Sequence, residues 1–267
     1  MCALLGCLAC LAAPGTAGAE PARVLPVRIL AQFPHDPQAF TQGLFVLPGG
    51  DLAESTGLYG RSEMRRVRLK DGAVLLRERL PADFFGEGAA LTPQGIVQLT
   101  WREGRALVRD PETLALRSEH RYAGEGWGLA FDGSRLFMSD GSARLLVRDP
   151  ATFAQLGDVR VMDGKEPVDG LNELEWVPHG DHGLLLANVW QTPHVVVIEP
   201  QTGRVLLRLD LSECWRLAGC TDERLVPNGI AWDRRTGLLV TGKGWPLLFR
   251  IAWPPADAGF DTGLDLR

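Results

Sequence analysis

Apolar residues along this chain come in short runs separated by polar turns rich in glycine and proline, the pattern of strands rather than helices. Five stretches share one layout: Gln42–Gly57, Glu87–Trp101, Trp127–Gly141, Asn172–Trp190 and Asn228–Trp245. Each reads as an apolar strand, a polar turn and a second apolar strand, which is a hairpin. A second motif alternates with the first, at Leu69-Lys70-Asp71-Gly72, Asp110-Pro111-Glu112-Thr113, Asp149-Pro150-Ala151-Thr152 and Glu199-Pro200-Gln201-Thr202. Acidic-Pro and acidic-Gly turns between β-rich flanks read as the outer hairpin of the same unit. Two hairpins give four strands, and recurring units of about forty residues with four strands each are propeller blades. The expectation is an all-β fold, a five-bladed β-propeller of four-stranded antiparallel blades. A β-sandwich is the alternative, because periodicity does not count sheets.

The chain's beginning departs from this pattern. Residues 1–19 carry no charged side chain, and an apolar run from Cys2 to Ala13 gives way to Pro14-Gly15 and then Ala17-Gly18-Ala19. That reads as a secretory signal peptide removed before Glu20, although the usual positive start is missing. A single propeller domain over 20–267 is then expected in an exported protein, periplasmic or secreted. The gap between the fourth and fifth hairpins is long, so an insertion around 211–224 is expected, with a helical turn at Ser212 to Leu217. It contains Cys214 and Cys220, which in an exported chain are expected to form one local disulfide.

Composition narrows the function. The chain has 45% hydrophobic and 23% charged residues, a net charge of -5, and no basic stripe. Neither a nucleic acid nor a membrane is the expected partner, and no run after the first nineteen residues is long enough to span a bilayer. The five histidines are scattered without metal-ligand spacing. There is no P-loop, nucleophile elbow or dinucleotide fingerprint. No metal or cofactor is expected in the chemistry, while a structural ion in the propeller channel stays open.

The stretch Phe84-Phe85-Gly86-Glu87-Gly88 places one carboxylate between two glycines, after two aromatic rings. Glycines allow close approach, and rings that exclude water push a carboxyl pKa upward. The first hairpin of a blade starts near the channel, so the residues opening the copies, Gln42, Glu87, Trp127, Asn172 and Asn228, are expected to converge at one mouth. The far ends of the hairpins add Trp101, Trp190, Lys243 and Trp245. Lys243 is one of three lysines among twenty-eight lysine and arginine residues, which suits a site where a compact ammonium fits and a guanidinium does not. Two readings stay open from the residues alone: acid/base catalysis by Glu87, or ligand binding without turnover. A calcium-dependent lactonase-like hydrolase is a further rival, drawn from Asn172, Glu173, Asn188 and Asn228.

Several segments together resemble the glutaminyl cyclases of the plant and bacterial type, also called glutamine cyclotransferases. They include Phe40-Thr41-Gln42-Gly43, Phe84-Phe85-Gly86-Glu87-Gly88, Gly126-Trp127-Gly128, Leu171-Asn172-Glu173-Leu174-Glu175-Trp176, Ala187-Asn188-Val189-Trp190 and Gly242-Lys243-Gly244-Trp245-Pro246, in order along the chain. The resemblance implies a five-bladed propeller that converts the N-terminal glutamine of a peptide or protein into pyroglutamate and releases ammonia, without a catalytic metal. It puts the catalytic carboxylate on Glu87 and the pocket aromatics on Phe40, Phe85, Trp101, Trp127 and Trp190. Polar pocket residues fall on Gln42, Asn172 and Lys243. The enzyme is expected to act as a monomer on peptide or protein substrates.

Overall fold

The computed structural model describes residues 20–179 and 183–253; the signal peptide expected over residues 1–19 lies outside them. Four antiparallel sheets have four strands each. The first holds Thr41–Val46, Leu52–Thr56, Glu63–Val67 and Val74–Arg79. The second holds Gly86–Thr92, Gly95–Thr100, Arg105–Arg109 and Leu116–Arg121, and the third Leu129–Phe131, Leu136–Ser139, Arg144–Arg148 and Gln155–Arg160. The fifth sheet along the chain joins Pro227–Asp233, Gly237–Gly242 and Leu247–Ile251 to an N-terminal strand, Ile29–Pro34, at its outer edge. The fold is an all-β propeller of four-stranded antiparallel blades.

The remaining sheet, the fourth along the chain, corrects the expectation of five four-stranded blades: it has seven strands, so four blades take the expected form. Its meander of Leu171–Val177, Leu184–Val189, His194–Glu199 and Arg204–Asp210 is extended at the outer edge. Arg23–Pro26 pairs parallel with Arg204–Asp210, and a small hairpin of Met162–Asp163 and Glu166–Pro167 joins the same strand. Asp163 is the cause. Its carboxylate accepts from the backbone N–H of Ala22 (2.5 Å) and from Arg208 Nε (2.6 Å), so one buried side chain gathers three segments onto an otherwise open edge.

The three inner strands of each blade are buried on both faces, and the outer ones, such as Leu116–Arg121 and Gln155–Arg160, face solvent. Apolar side chains form a cluster at each junction between neighbouring sheets, including the one that joins the last sheet to the first through Leu44, Leu52, Ala231 and Leu239. The predicted acidic turns cap the outer hairpins. Asp110 Oδ1 accepts from the N–H of Glu112 and Thr113, and Asp149 Oδ1 does the same for Ala151 and Thr152.

An α-helix, Ser212–Ala218, follows the seven-stranded sheet. It turns Cys214 into the apolar cluster, whereas Cys220 lies beyond the left-handed Gly219 with its Sγ near the carbonyls of Ala218 and Gly244. The two cysteines are not joined in this structure, against the expected disulfide: Cys214 lies inside the apolar cluster, and Cys220, past the helix cap, packs on it from outside. Among the described residues no helix is long and apolar enough to cross a membrane.

The ring closes on a buried ionic group. His35, just past the N-terminal strand, contacts the Trp245 carbonyl through Nδ1 (2.6 Å) and Glu54 Oε1 through Nε2 (2.9 Å). Both partners accept, so both ring nitrogens must carry protons. Thr41 Oγ1 also donates to Glu54 (2.7 Å), and Arg65 bridges Glu54 to Asp36. Burial alone would lower the imidazole pKa, but the charge and hydrogen bond of Glu54 outweigh it and hold it above 6.5. The imidazolium therefore contributes fully below its ordinary pKa, and that stability fades as pH rises through the higher native value. The melting-temperature gap between wild type and His35→Gln is expected to be widest near about pH 6 and to shrink toward about pH 9. A gap that stayed constant over that range would show an imidazole whose pKa folding leaves unchanged, and one that widened with pH would show a ring held neutral.

Candidate active site

The side chains that open the hairpins are aimed by backbone irregularities. The pairing register shifts between Thr41 and Gly43, Gly86 and Ala89, Leu171 and Leu174, and Pro227 and Ile230. Gln42, Glu87, Asn172 and Asn228 each sit inside one of these bulges, which turn a side chain out of the ladder. The next residue is glycine in most copies because neighbouring inner strands almost touch. A Cβ on Gly88 would lie 2.6 Å from the Cα of Gly128, and one on Gly128 would overlap the Asn172 carbonyl. In the fourth copy Glu173 takes that place. Its two oxygens accept the N–H of Leu44 (3.1 Å) and Ile230 (2.9 Å), tying three blades across the channel.

Phe40, Gln42, Phe85, Glu87, Trp101, Trp127, Asn172, Trp190 and Lys243 all line one cavity of about 310 Å³. Asn228 and Trp245 do not. Asn228 stands behind Gln42, and Trp245 is fully buried against Phe249 with its indole N–H donated to the Leu225 carbonyl (2.9 Å). A repeat position tells which way a side chain sets out but not how deep it ends.

Glu87 is at the floor. Gln42 Nε2 donates to its Oε1 at 3.0 Å, and the other oxygen makes no hydrogen bond among the described residues. The Gln42 amide cannot turn round, because Asn228 Nδ2 donates to its Oε1 (3.2 Å) while also holding the Thr41 carbonyl (2.9 Å). Ser55 donates its hydroxyl to the Glu87 carbonyl, and Gly88 N–H donates to the Trp127 carbonyl (2.6 Å), so the backbone is pinned on both sides. Burial raises the Glu87 pKa well above 4.5; the Lys243 charge opposes this, and Glu125 and Glu103 add to it. Burial lowers Lys243 to about 8, with Glu87 pulling the other way. The ammonium forms no direct salt bridge with Glu87 and lies 5.0 Å from the Phe40 ring centroid, in cation–π range. Asn172, also in the cavity, has a buried Oδ1 without a hydrogen-bond partner.

The aromatic wall is held by carboxylates that sequence reasoning missed. Glu125 Oε2 accepts both indole N–H groups, from Trp101 (2.7 Å) and Trp127 (3.0 Å), and Arg102 donates to its other oxygen while stacking on Trp101. Those hydrogen bonds keep the Glu125 pKa below its ordinary value against the effect of burial. Glu103 accepts from Tyr59 Oη (3.0 Å) and from the N–H of Phe85 (3.2 Å). Asking which acceptor serves each half-buried indole would have pointed to Glu125. Phe85 meets Phe40, Tyr59 and Trp101 edge to face, and Trp127 meets Trp190 in the same way. Trp190 is 44% exposed and forms the lip, with Leu58, Gln191, Glu223 and Arg224 completing the rim.

Of the oxygens that a channel calcium would need, those of Glu173 and Asn188 Oδ1 are engaged by protein N–H groups, the latter by Gly229 (3.0 Å), whereas Asn172 Oδ1 and Asn228 Oδ1 have no hydrogen-bond partner. Among the described residues no group of three or more His, Cys, Asp or Glu side chains is arranged to hold a metal ion.

A propeller with a buried, high-pKa carboxyl at its channel mouth, walled by indoles and faced by one ammonium, is built for proton transfer on a small polar group carried by a larger molecule. The glutamine cyclotransferase family model matches residues 2–253. A glutaminyl-peptide cyclotransferase of Arabidopsis thaliana is 38% identical over 242 residues, covering 88% of this chain and 74% of that protein. The crystal structure of Myxococcus xanthus glutaminyl cyclase matches with a TM-score of 0.79 at 34% identity, over 86% of this chain and 97% of that one. The chain belongs to the glutamine cyclotransferase family.

Proposed function

We propose that this protein closes the N-terminal glutamine of peptides and proteins into pyroglutamate, with Glu87 carrying the proton. Glu87 takes a proton from the substrate's α-amine as that nitrogen attacks its own γ-carboxamide carbon. The protonated carboxyl then delivers the proton to the amide nitrogen, the C–N bond breaks, and ammonia leaves behind a five-membered lactam. One group can act as base and then acid when its pKa lies near the working pH, which burial beside Phe85 and the tryptophans favours. The attack is intramolecular, so a cavity that curls the side chain against the amine supplies much of the acceleration. Lys243, Gln42 and Asn172 are the polar groups within reach of the tetrahedral oxyanion and the reacting nitrogens, Lys243 and Gln42 as donors.

The single observation that supports this reading most is the half-satisfied Glu87: one oxygen fixed by Gln42, the other left to an aromatic cavity. The seven-stranded sheet counts as the fifth blade, its extra strands being edge additions. The chemistry uses no metal, and the protein works as an exported monomer. Incubation with a glutamine-initiated peptide is expected to release ammonia and shift the product mass by that loss, equally well in EDTA. An unchanged peptide would overturn the activity, and loss of turnover in EDTA would overturn the metal-free chemistry.

A further inference from the structure

The cavity accounts for the first residue of a substrate, and the rest of a polypeptide has to leave across the rim. Phe40, Leu58 and Arg224 of that rim also line a second cleft, of about 650 Å³, that runs past Gln38 and Arg61. The two spaces therefore adjoin. At the junction Leu58 is held at φ 86, a conformation that a branched side chain adopts only when its surroundings impose it.

The charge lining the second cleft has one sign. Arg61 and Arg224 are the charged side chains lining the second cleft, with no carboxylate among its lining residues. Arg224 is paired with Asp222 (Nε to Oδ1, 3.0 Å), whereas Arg61 forms no ion pair among the described residues. Beyond Gln38 and Arg61 the surface continues into a third depression that presents Arg77 and Arg79, both sharing Glu63, alongside the Arg65–Asp36 pair. Glu103 and Glu125 line neither space; they are engaged by Tyr59 and by the Trp101 and Trp127 indoles.

We propose that the Arg61 cleft receives the residues that follow the substrate's N-terminal glutamine and selects carboxylate side chains there. The inference rests on the cyclotransferase reading above. Guanidinium groups match carboxylates in shape and charge, and a peptide bearing ammonium groups would meet like charge in the second cleft. Exposed pairs are individually weak, so the selectivity comes from several acting together and is sensitive to salt.

The test compares kcat/KM for three substrates: glutamine amide, a C-terminally amidated Gln-Glu-Glu-Glu-Ala, and the matching Gln-Lys-Lys-Lys-Ala. At low ionic strength the acidic peptide is expected to be preferred by about tenfold, with the ratio shrinking as salt is added. Arg61→Glu is expected to bring the ratio to one or below, and Arg61→Gln to leave it in between. The ratio is taken within each variant, so any loss of folded protein cancels. A wild-type ratio near one at low salt, or a ratio that Arg61→Glu leaves unchanged, overturns the inference while glutamine amide is still turned over. Failure of the wild type to release ammonia from glutamine amide overturns the cyclotransferase reading itself and the inference with it.

Discussion

Glu87→Gln is expected to lower kcat/KM for a glutamine-initiated peptide by about a thousandfold, and at the same time to raise the melting temperature at neutral pH. The loss follows from removing the one carboxyl that faces the cavity with a free oxygen. The gain follows from its environment. A carboxyl whose pKa in the folded protein lies well above 4.5 lets stability decline as pH rises from the ordinary value through the native one, because ionisation is easier in the unfolded chain. A neutral amide has no such decline, and its oxygen can still accept from Gln42. The stability difference should therefore grow with pH across that window and vanish below the ordinary carboxylate pKa. Turnover close to wild type would remove Glu87 from the chemistry, and parallel melting curves at all pH values would mean that the carboxyl is not destabilised by burial.

Lys243→Met is expected to cost at least about tenfold in kcat/KM and to move the acid limb of the pH profile to higher pH. Methionine keeps the bulk against Phe40 while removing the charge. Lys243 is what holds the Glu87 pKa down against burial, so without it Glu87 ionises later and the base form appears at higher pH. An alkaline limb near 8 that belongs to Lys243 should disappear in the same variant. A lower rate with an unshifted acid limb would make Lys243 a contact for the substrate with no hold on Glu87.

Much of this site can be read from the sequence because the fold repeats. Gln42, Glu87 and Trp127 precede glycines at equivalent places, and those glycines are required where inner strands nearly touch, so pattern and placement share one cause. Phe40 and Phe85 each stand two residues before the side chain that opens their hairpin; Phe85 is marked by its place beside Glu87, and Phe40 by family resemblance alone. Glu103 and the buried ionic role of His35 were not legible, since each depends on which blade lies next door, whereas Glu125, two residues before Trp127, could have been found by asking what accepts the indole N–H. The same limit explains Asn228 and Trp245, whose direction was right and whose depth was not. The seven-stranded sheet arises from Asp163 meeting Ala22 and Arg208, contacts too distant in the chain for local pattern to forecast.

The pairing of Ile29–Pro34 with Leu247–Ile251 has a consequence for how the molecule is made. Sheets whose strands are consecutive can assemble as they leave the ribosome, but the last one must wait for the far end of the chain to find its beginning, a contact of high sequence separation and slow formation. Lys243 belongs to that late hairpin, and the Trp245 carbonyl beside it is gripped by His35. A partly synthesised or clipped chain would thus carry Glu87 in a formed blade without its ammonium counterpart. Catalytic competence arrives with closure of the ring, and appearance of activity during refolding should time that last step.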